Sequence, residues 1–224
     1  MRFSQLVMTF LACCLATDCG GLAAASAEQK PMRVAALGTS LTHSGGWLIP
    51  LERHLARCLQ RSINLLDFGR DGATSEWGVA ILDEVILAQP DIVLIEFAVN
   101  DAALFKGMSL KQSRENVRNI VRTIRAAQPH VKIFLMTMNP SSGLRGSIRP
   151  RLNAYYDDYK LLADELGTGY IDNFSAWNTL TKQELRERIP DGLHPIPESA
   201  CRILVPAIAG AIGGTECVAT TMNE

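Results

Sequence analysis

The sequence predicts an α/β fold, a three-layer α/β/α sandwich around a five-stranded, mainly parallel central sheet, and three observations carry that expectation. Strand-like and helix-like segments alternate along the chain, which argues for parallel strands joined by helices on both faces. The stretches Ile92 to Phe97 and Val131 to Met138 are nearly continuous β-branched and apolar runs, as in strands covered on both sides. The chain has 224 residues with 47% hydrophobic content, ample for one sizeable core and short for two, and no repeat, low-complexity tract or linker divides it.

Taken in order, residues 1–27 read as a secretory signal peptide. Arg2 precedes an apolar run from Leu6 to Ala16, too short to span a bilayer, and Ala23-Ala24-Ala25-Ser26-Ala27 offers a cleavage site before Glu28. Lipoprotein processing at Cys13 or Cys14 fits poorly with Phe10-Leu11-Ala12 before them. Residues 28–224 form a single domain, expected to be secreted or periplasmic, with no stable membrane insertion after cleavage. Cleavage would leave Cys58, Cys201 and Cys217, so at most one intramolecular disulfide can form. An oxidising compartment permits it. Cys201 and Cys217 are the locally closest pair, and Cys58 on the apolar side of a helix reads as simply buried.

The strands are expected at Arg33 to Gly38, Ile63 to Phe68, Ile92 to Phe97, Val131 to Met138 and Gly169 to Asp172. Apolar stripes at helical spacing lie between them: Trp47 to Leu59, Val117 to Ile124, and Leu152 to Leu166. A last helix begins near Pro197, is kinked or broken at Pro206, and ends at Gly213-Gly214. Arg114, Arg118, Arg122 and Arg125 read as the solvated face of one helix. With a net charge of −1 and no aromatics interleaving those arginines, nucleic acid binding is not expected.

Chemistry concentrates at two places. The apolar strand ending Leu37-Gly38-Thr39-Ser40 presents a hydroxyl on a glycine-led turn, and Asp191-Gly192-Leu193-His194-Pro195 holds a carboxylate and an imidazole three positions apart. A serine is a poor nucleophile without a base in hydrogen-bond reach, and a base needs a partner for its other nitrogen. Ser40, His194 and Asp191 are therefore a candidate catalytic triad, with Pro195 restricting the backbone of His194. Ser40, Gly72 and Asn100 each follow one of the first three strands, and in open parallel sheets ligands bind beyond that rim. No cysteine or histidine set has metal-ligand spacing, so no metal centre or other cofactor is expected.

Between these ends come Gly72, in Phe68-Gly69-Arg70-Asp71-Gly72-Ala73-Thr74, and Asn100-Asp101, closing Val93-Leu94-Ile95-Glu96-Phe97-Ala98-Val99. With them the chain resembles an SGNH hydrolase, of the GDSL-type lipase and esterase superfamily, over roughly Met32 to Ile212. The four residues that name that superfamily fall on Ser40, Gly72, Asn100 and His194. Thr39 stands where the family usually has Asp, and Ala98 where it usually has Gly. The resemblance implies a flavodoxin-like SGNH fold and an oxyanion hole from the Ser40 and Gly72 N–H groups with the Asn100 amide. It implies hydrolysis of short-chain acyl esters, of small molecules or saccharides, through an acyl-enzyme. It also allows polysaccharide O-acetylesterase, O-acetyltransferase, lysophospholipase or thioesterase chemistry.

A binding module with Ser40 at a phosphate-binding turn is the non-catalytic alternative, but it lacks a Gly-x-Gly-x-x-Gly fingerprint and leaves Asp191 and His194 without a role. For the substrate pocket, His43, Trp47, Arg145 and Trp177 are the candidate lining residues, with Phe105 and Met108 also considered. Ser44 beside the nucleophile reads as pocket wall, and the segment Asn139 to Asn153, with Arg145, Arg149 and Arg151, as a mobile basic loop on the acceptor side. His54 is expected within a helix as a boundary residue there, and His130 in solvent.

Overall fold

A computed structural model describes residues 30–221 of the chain; the expected signal peptide and its cysteines lie outside the described residues. In chain order the strands are β1 (Met32–Gly38), β2 (Ile63–Gly69), β3 (Ile92–Glu96), β4 (Lys132–Met136) and β5 (Gly169–Ile171). They form one sheet in the order β2-β1-β3-β4-β5, every neighbouring pair parallel. The five strands are the five expected from sequence. β3 is buried along its whole length, which is why its first four residues are apolar with no polar alternation, and it closes on a buried Glu96.

The helices are α1 (Ser40–His43), α2 (Leu48–Cys58), α3 (Ser75–Ala80), α4 (Leu82–Leu87), α5 (Ala98–Asp101), α6 (Leu110–Ala127), α7 (Gly143–Ser147), α8 (Leu152–Leu166), α9 (Asn173–Trp177), α10 (Lys182–Arg188), α11 (Pro197–Gly213) and α12 (Thr215–Thr221). One layer packs α2, α11 and α12 together, with α2 against β2 and α11 against β5; the other packs α3, α4 and α8 around α6. Val117, Ile120, Val121 and Ile124, the apolar stripe of α6, are all buried. In α8 the tyrosines serve the core with their rings and the backbone with their hydroxyls. Tyr155 donates to Met108 O at 2.6 Å, and Tyr159 accepts from Phe97 N–H at 2.9 Å.

Four expectations are corrected. The last helix, α11, has the expected bounds but is not broken at Pro206, which lies inside it. The arginine ladder is no free solvated face, because Arg114 pairs with Asp158 and Glu165, Arg118 with Glu165 at 2.9 Å, and Arg125 donates to the carbonyls of Leu166 and Gly167. Those charges dock the exposed edge of α6 onto α8. His54 is buried inside α2, with Nε2 at 3.1 Å from Cys217 O. The disulfide joins Cys58 to Cys217, leaving Cys201 free, because α2 and α12 are neighbours although 159 residues separate the cysteines. On the chain-entropy account a loop of that length stabilises the fold by roughly 5 kcal/mol.

Candidate active site

The turn after β1 is built over a buried carboxylate. Gly38 lies in register between Gly69 of β2 and Glu96 of β3. A Cβ on Gly38 would sit 2.3 Å from Glu96 Oε1, so only glycine lets the carboxylate approach. Glu96 Oε1 accepts from Thr39 N–H at 2.7 Å, the Thr39 hydroxyl at 3.0 Å and the Thr42 hydroxyl at 2.7 Å. The Thr39 oxygen in turn caps α1 by accepting from Leu41 N–H at 3.1 Å. Burial pushes the Glu96 carboxyl up to about 7, against the lowering effect of those hydrogen bonds. The first turn of α1, which starts at Ser40, is therefore pinned from beneath by a strand-end glutamate.

Ser40 Oγ lies 2.9 Å from His194 Nε2, and His194 Nδ1 lies 2.7 Å from Asp191 Oδ2. Asp191 also caps its own turn, its Oδ1 accepting from the N–H groups of Leu193 at 2.8 Å and His194 at 2.6 Å. Partial burial pushes the Asp191 carboxyl up, but the bonds from the His194 N–H and imidazole and from Leu193 outweigh it and hold the group down at about 2. It is thus an anion at every pH where an imidazole can be neutral. The segment is tethered from the β4 side: Asn139 Nδ2 donates to Leu193 O at 2.7 Å, and Ser142 N–H to Gly192 O at 2.8 Å.

Gly72 and Asn100 are brought to the same rim by a second set of bonds. Gly72 has φ +71°, the left-handed region that costs other residues roughly 1–2 kcal/mol. The turn it makes is tied to α5 twice, through Asn100 Nδ2 to Ala73 O at 2.9 Å and through Ser75 N–H to Asp101 Oδ1 at 2.9 Å. Asp101 is fully buried and also accepts from the Ser113 hydroxyl at 2.6 Å, and burial raises its carboxyl above the ordinary range. Ser40, Gly72, Asn100 and His194 line one cleft of about 430 Å³.

The sequence profile of the GDSL-like Lipase/Acylhydrolase family matches residues 36–199, which include every residue of this constellation. The chain belongs to the GDSL-like lipase/acylhydrolase family. It is accordingly a hydrolase of ester bonds. Solved structures agree on the fold. An acetylxylan esterase, Axe2 from Geobacillus stearothermophilus, superposes with TM-score 0.69 at 23% identity, covering 81% of this chain and 94% of its own. A lipase/acylhydrolase from Enterococcus faecalis superposes with TM-score 0.70 at 22% identity, over 82% of this chain and 96% of its own. An α/β hydrolase from the metagenome of Lake Arreo gives 0.69 at 19% identity, over 82% and 95%. No protein of curated function matches in sequence.

The family's four residues and Asp191 meet as the sequence suggested, but most of the expected pocket wall does not. Trp47 is fully buried beside the turn at Ser40, its indole N–H donating to Leu41 O at 2.7 Å, and Trp177 is fully buried in α9. Neither reaches the cleft. His43 points outward and pairs with Asp67 at 2.8 Å, and Met108 is buried. Arg145 does line the cleft, 3.9 Å from Asp191, as do Ser44, which donates to Asp71 at 3.1 Å, and the exposed Phe105. The segment Asn139 to Asn153 contains α7 and is bonded at several points to the rim. Three contributors escaped the sequence: Glu96, Asn139 and Arg149. For Glu96 and Asn139 the one signal is a polar residue closing or following an apolar strand; Arg149 reads only as one cation of the basic loop, with no sign that it turns inward.

Proposed function

We propose that the protein is a serine esterase that forms an acyl-enzyme on Ser40 and passes short acyl groups to water, with acetylated saccharides the first natural substrates to test. The observation that carries this is the unbroken chain from Ser40 Oγ through the imidazole of His194 to the carboxylate of Asp191. With Nδ1–H given to Asp191, Nε2 is the acceptor that takes the Ser40 proton as Oγ attacks the ester carbonyl. The Asp191 anion stabilises the imidazolium that results. The N–H groups of Ser40 and Gly72, with the second amide hydrogen of Asn100, face the charge growing on the carbonyl oxygen; each such donor is worth about 3–4 kcal/mol in the transition state. His194 then returns the proton to the leaving alcohol, and water repeats the sequence to free the acid and Ser40.

A short acyl group suits the cleft, where Phe105 and Leu193 are the large apolar lining residues among charged and polar neighbours. Export from the cytoplasm, the reading of the first 27 residues, is supported by the Cys58–Cys217 disulfide, a bond that persists in oxidising compartments. The test is a fluorophosphonate probe read by mass spectrometry, followed by p-nitrophenyl esters from acetyl to decanoyl. Stoichiometric labelling of Ser40 is expected, with kcat/KM highest from acetyl to butyryl. Failure to label Ser40 overturns the mechanism. A steady rise to decanoyl, at about 0.8 kcal/mol for each buried methylene, overturns the short-acyl assignment in favour of a lipase or thioesterase.

A further inference from the structure

Arg149 is only 4% exposed, yet among the described residues no carboxylate stands within ion-pair distance of it. Its guanidinium is spent on neutral oxygens: Nε donates to Val99 O at 2.7 Å, Nη1 to Arg145 O at 3.0 Å and Nη2 to Asn100 Oδ1 at 3.3 Å. Burying a cation without a counterion is costly, and such groups persist where the site uses them. Burial, and next the charge of Arg145, lower the guanidinium's affinity for its proton. The position is a specific one, since Arg149 lines the cleft and grips Asn100 by both its side chain and the carbonyl of the residue before it.

An arginine can only donate, so Nη2 fixes Asn100 with Oδ1 turned toward it and Nδ2 turned away. One Nδ2 hydrogen goes to Ala73 O, and the other is left at the cleft. Ala73 O, which can only accept, and Arg149, which can only donate, hold the amide from opposite ends; without Arg149 the amide keeps one anchor and can swing about it, carrying its second hydrogen off the line to a developing oxyanion. We propose that Arg149 is a positioning residue for ester hydrolysis, orienting the Asn100 amide so that it donates to the transition state. This rests on the serine esterase reading above.

The test is a double-mutant cycle of Arg149→Met and Asn100→Ala on a short p-nitrophenyl ester, with thermal melts alongside. Ser40 labelling of the native enzyme is done first, so that failure of the esterase reading is recognised separately. Asn100→Ala should lower kcat by about 10²–10³-fold. Arg149→Met should lower kcat by about tenfold or more with KM changed less than about twofold, and the double variant should be no slower than Asn100→Ala alone. If Arg149→Met does not fold, Arg149→Lys, which keeps the charge but cannot span the three oxygens, runs the same cycle. Losses that multiply in the double variant, or a single variant that lowers the melting temperature and leaves kcat intact, overturn the proposal.

Discussion

The two halves of the site are held by opposite means. Ser40 stands on a turn whose support is buried: Glu96 and Thr39 are almost completely shielded from solvent, and their bonds run between strand ends 57 residues apart. The Asp191–His194 half is open, its side chains 41% and 39% exposed, and its main bonds close within three residues. Burial makes the nucleophile's position part of the fold's stability. Exposure leaves the base dependent on a local turn and the two tethers from Asn139 and Ser142, where a change alters chemistry with little effect on folding.

The largest effects that sharpen this contrast come from the reacting groups. Ser40→Ala and His194→Ala should each lower kcat by about 10⁴-fold or more, and the pair should cost little more than either alone. Asp191→Asn should lose a large fraction of activity by presenting the wrong tautomer. All three should leave the midpoint of urea unfolding nearly unchanged, because the open half contributes little to stability and the buried bonds of the Ser40 turn are made by Thr39, Thr42 and Glu96, not by the Ser40 hydroxyl. Initial rates and denaturation curves on the same preparations check this. An Asp191→Asn enzyme that is strongly destabilised would break the comparison.

The buried half should reveal itself through pH. The Glu96 carboxyl is raised in the folded protein to about 7, from an ordinary value of 4.5. Between those values the folded state binds more protons than the unfolded one, so stability falls as pH rises through the window and levels off above it. The size is on the order of 3 kcal/mol, at 1.36 kcal/mol per pH unit. Glu96→Gln keeps an acceptor oxygen and removes the titration. Relative to the native protein it should therefore gain stability steadily from pH 4.5 to 7, as read from urea midpoints. Parallel pH profiles for the two would show that Glu96 titrates normally and that the turn is not held by a desolvated carboxyl.

The same division explains what could be read from the sequence. Ser40, Gly72, Asn100, Asp191 and His194 were legible because their chemistry needs particular residues in a particular order, and the five strands because burial on two faces leaves continuous apolar runs. Glu96 was hidden as the last residue of such a run, where a lone carboxylate looks like a strand end reaching solvent. Arg149 read as one more loop cation, since nothing in its neighbours shows a guanidinium turned inward. Trp47 and Trp177 misled in the other direction, because an aromatic beside a motif looks the same whether it faces a ligand or the core. Cys58 found its partner through the packing of α2 on α12, and distance along the chain carries no trace of that contact.

The smallest predicted effect tests the departure at residue 39. Threonine there donates to Glu96 by both its N–H and its hydroxyl, so a buried carboxylate at 96 is matched by a donor at 39. Thr39→Asp would restore the family's usual residue and still cap Leu41 N–H, but an ionised aspartate has no hydroxyl to donate. Two carboxyls at that separation cannot both be charged at low cost, so they would share a proton. Against Thr39→Ser, which keeps the donor, Thr39→Asp should be close in stability near pH 5 and weaker by about 1–3 kcal/mol near pH 8, where the shared proton is lost. Activity per folded molecule should fall over the same range, because the turn carrying Ser40 is the element that yields. Equal urea midpoints for the two variants at pH 8 would mean that Thr39 is interchangeable with aspartate and that Glu96 does not set which residue precedes the nucleophile.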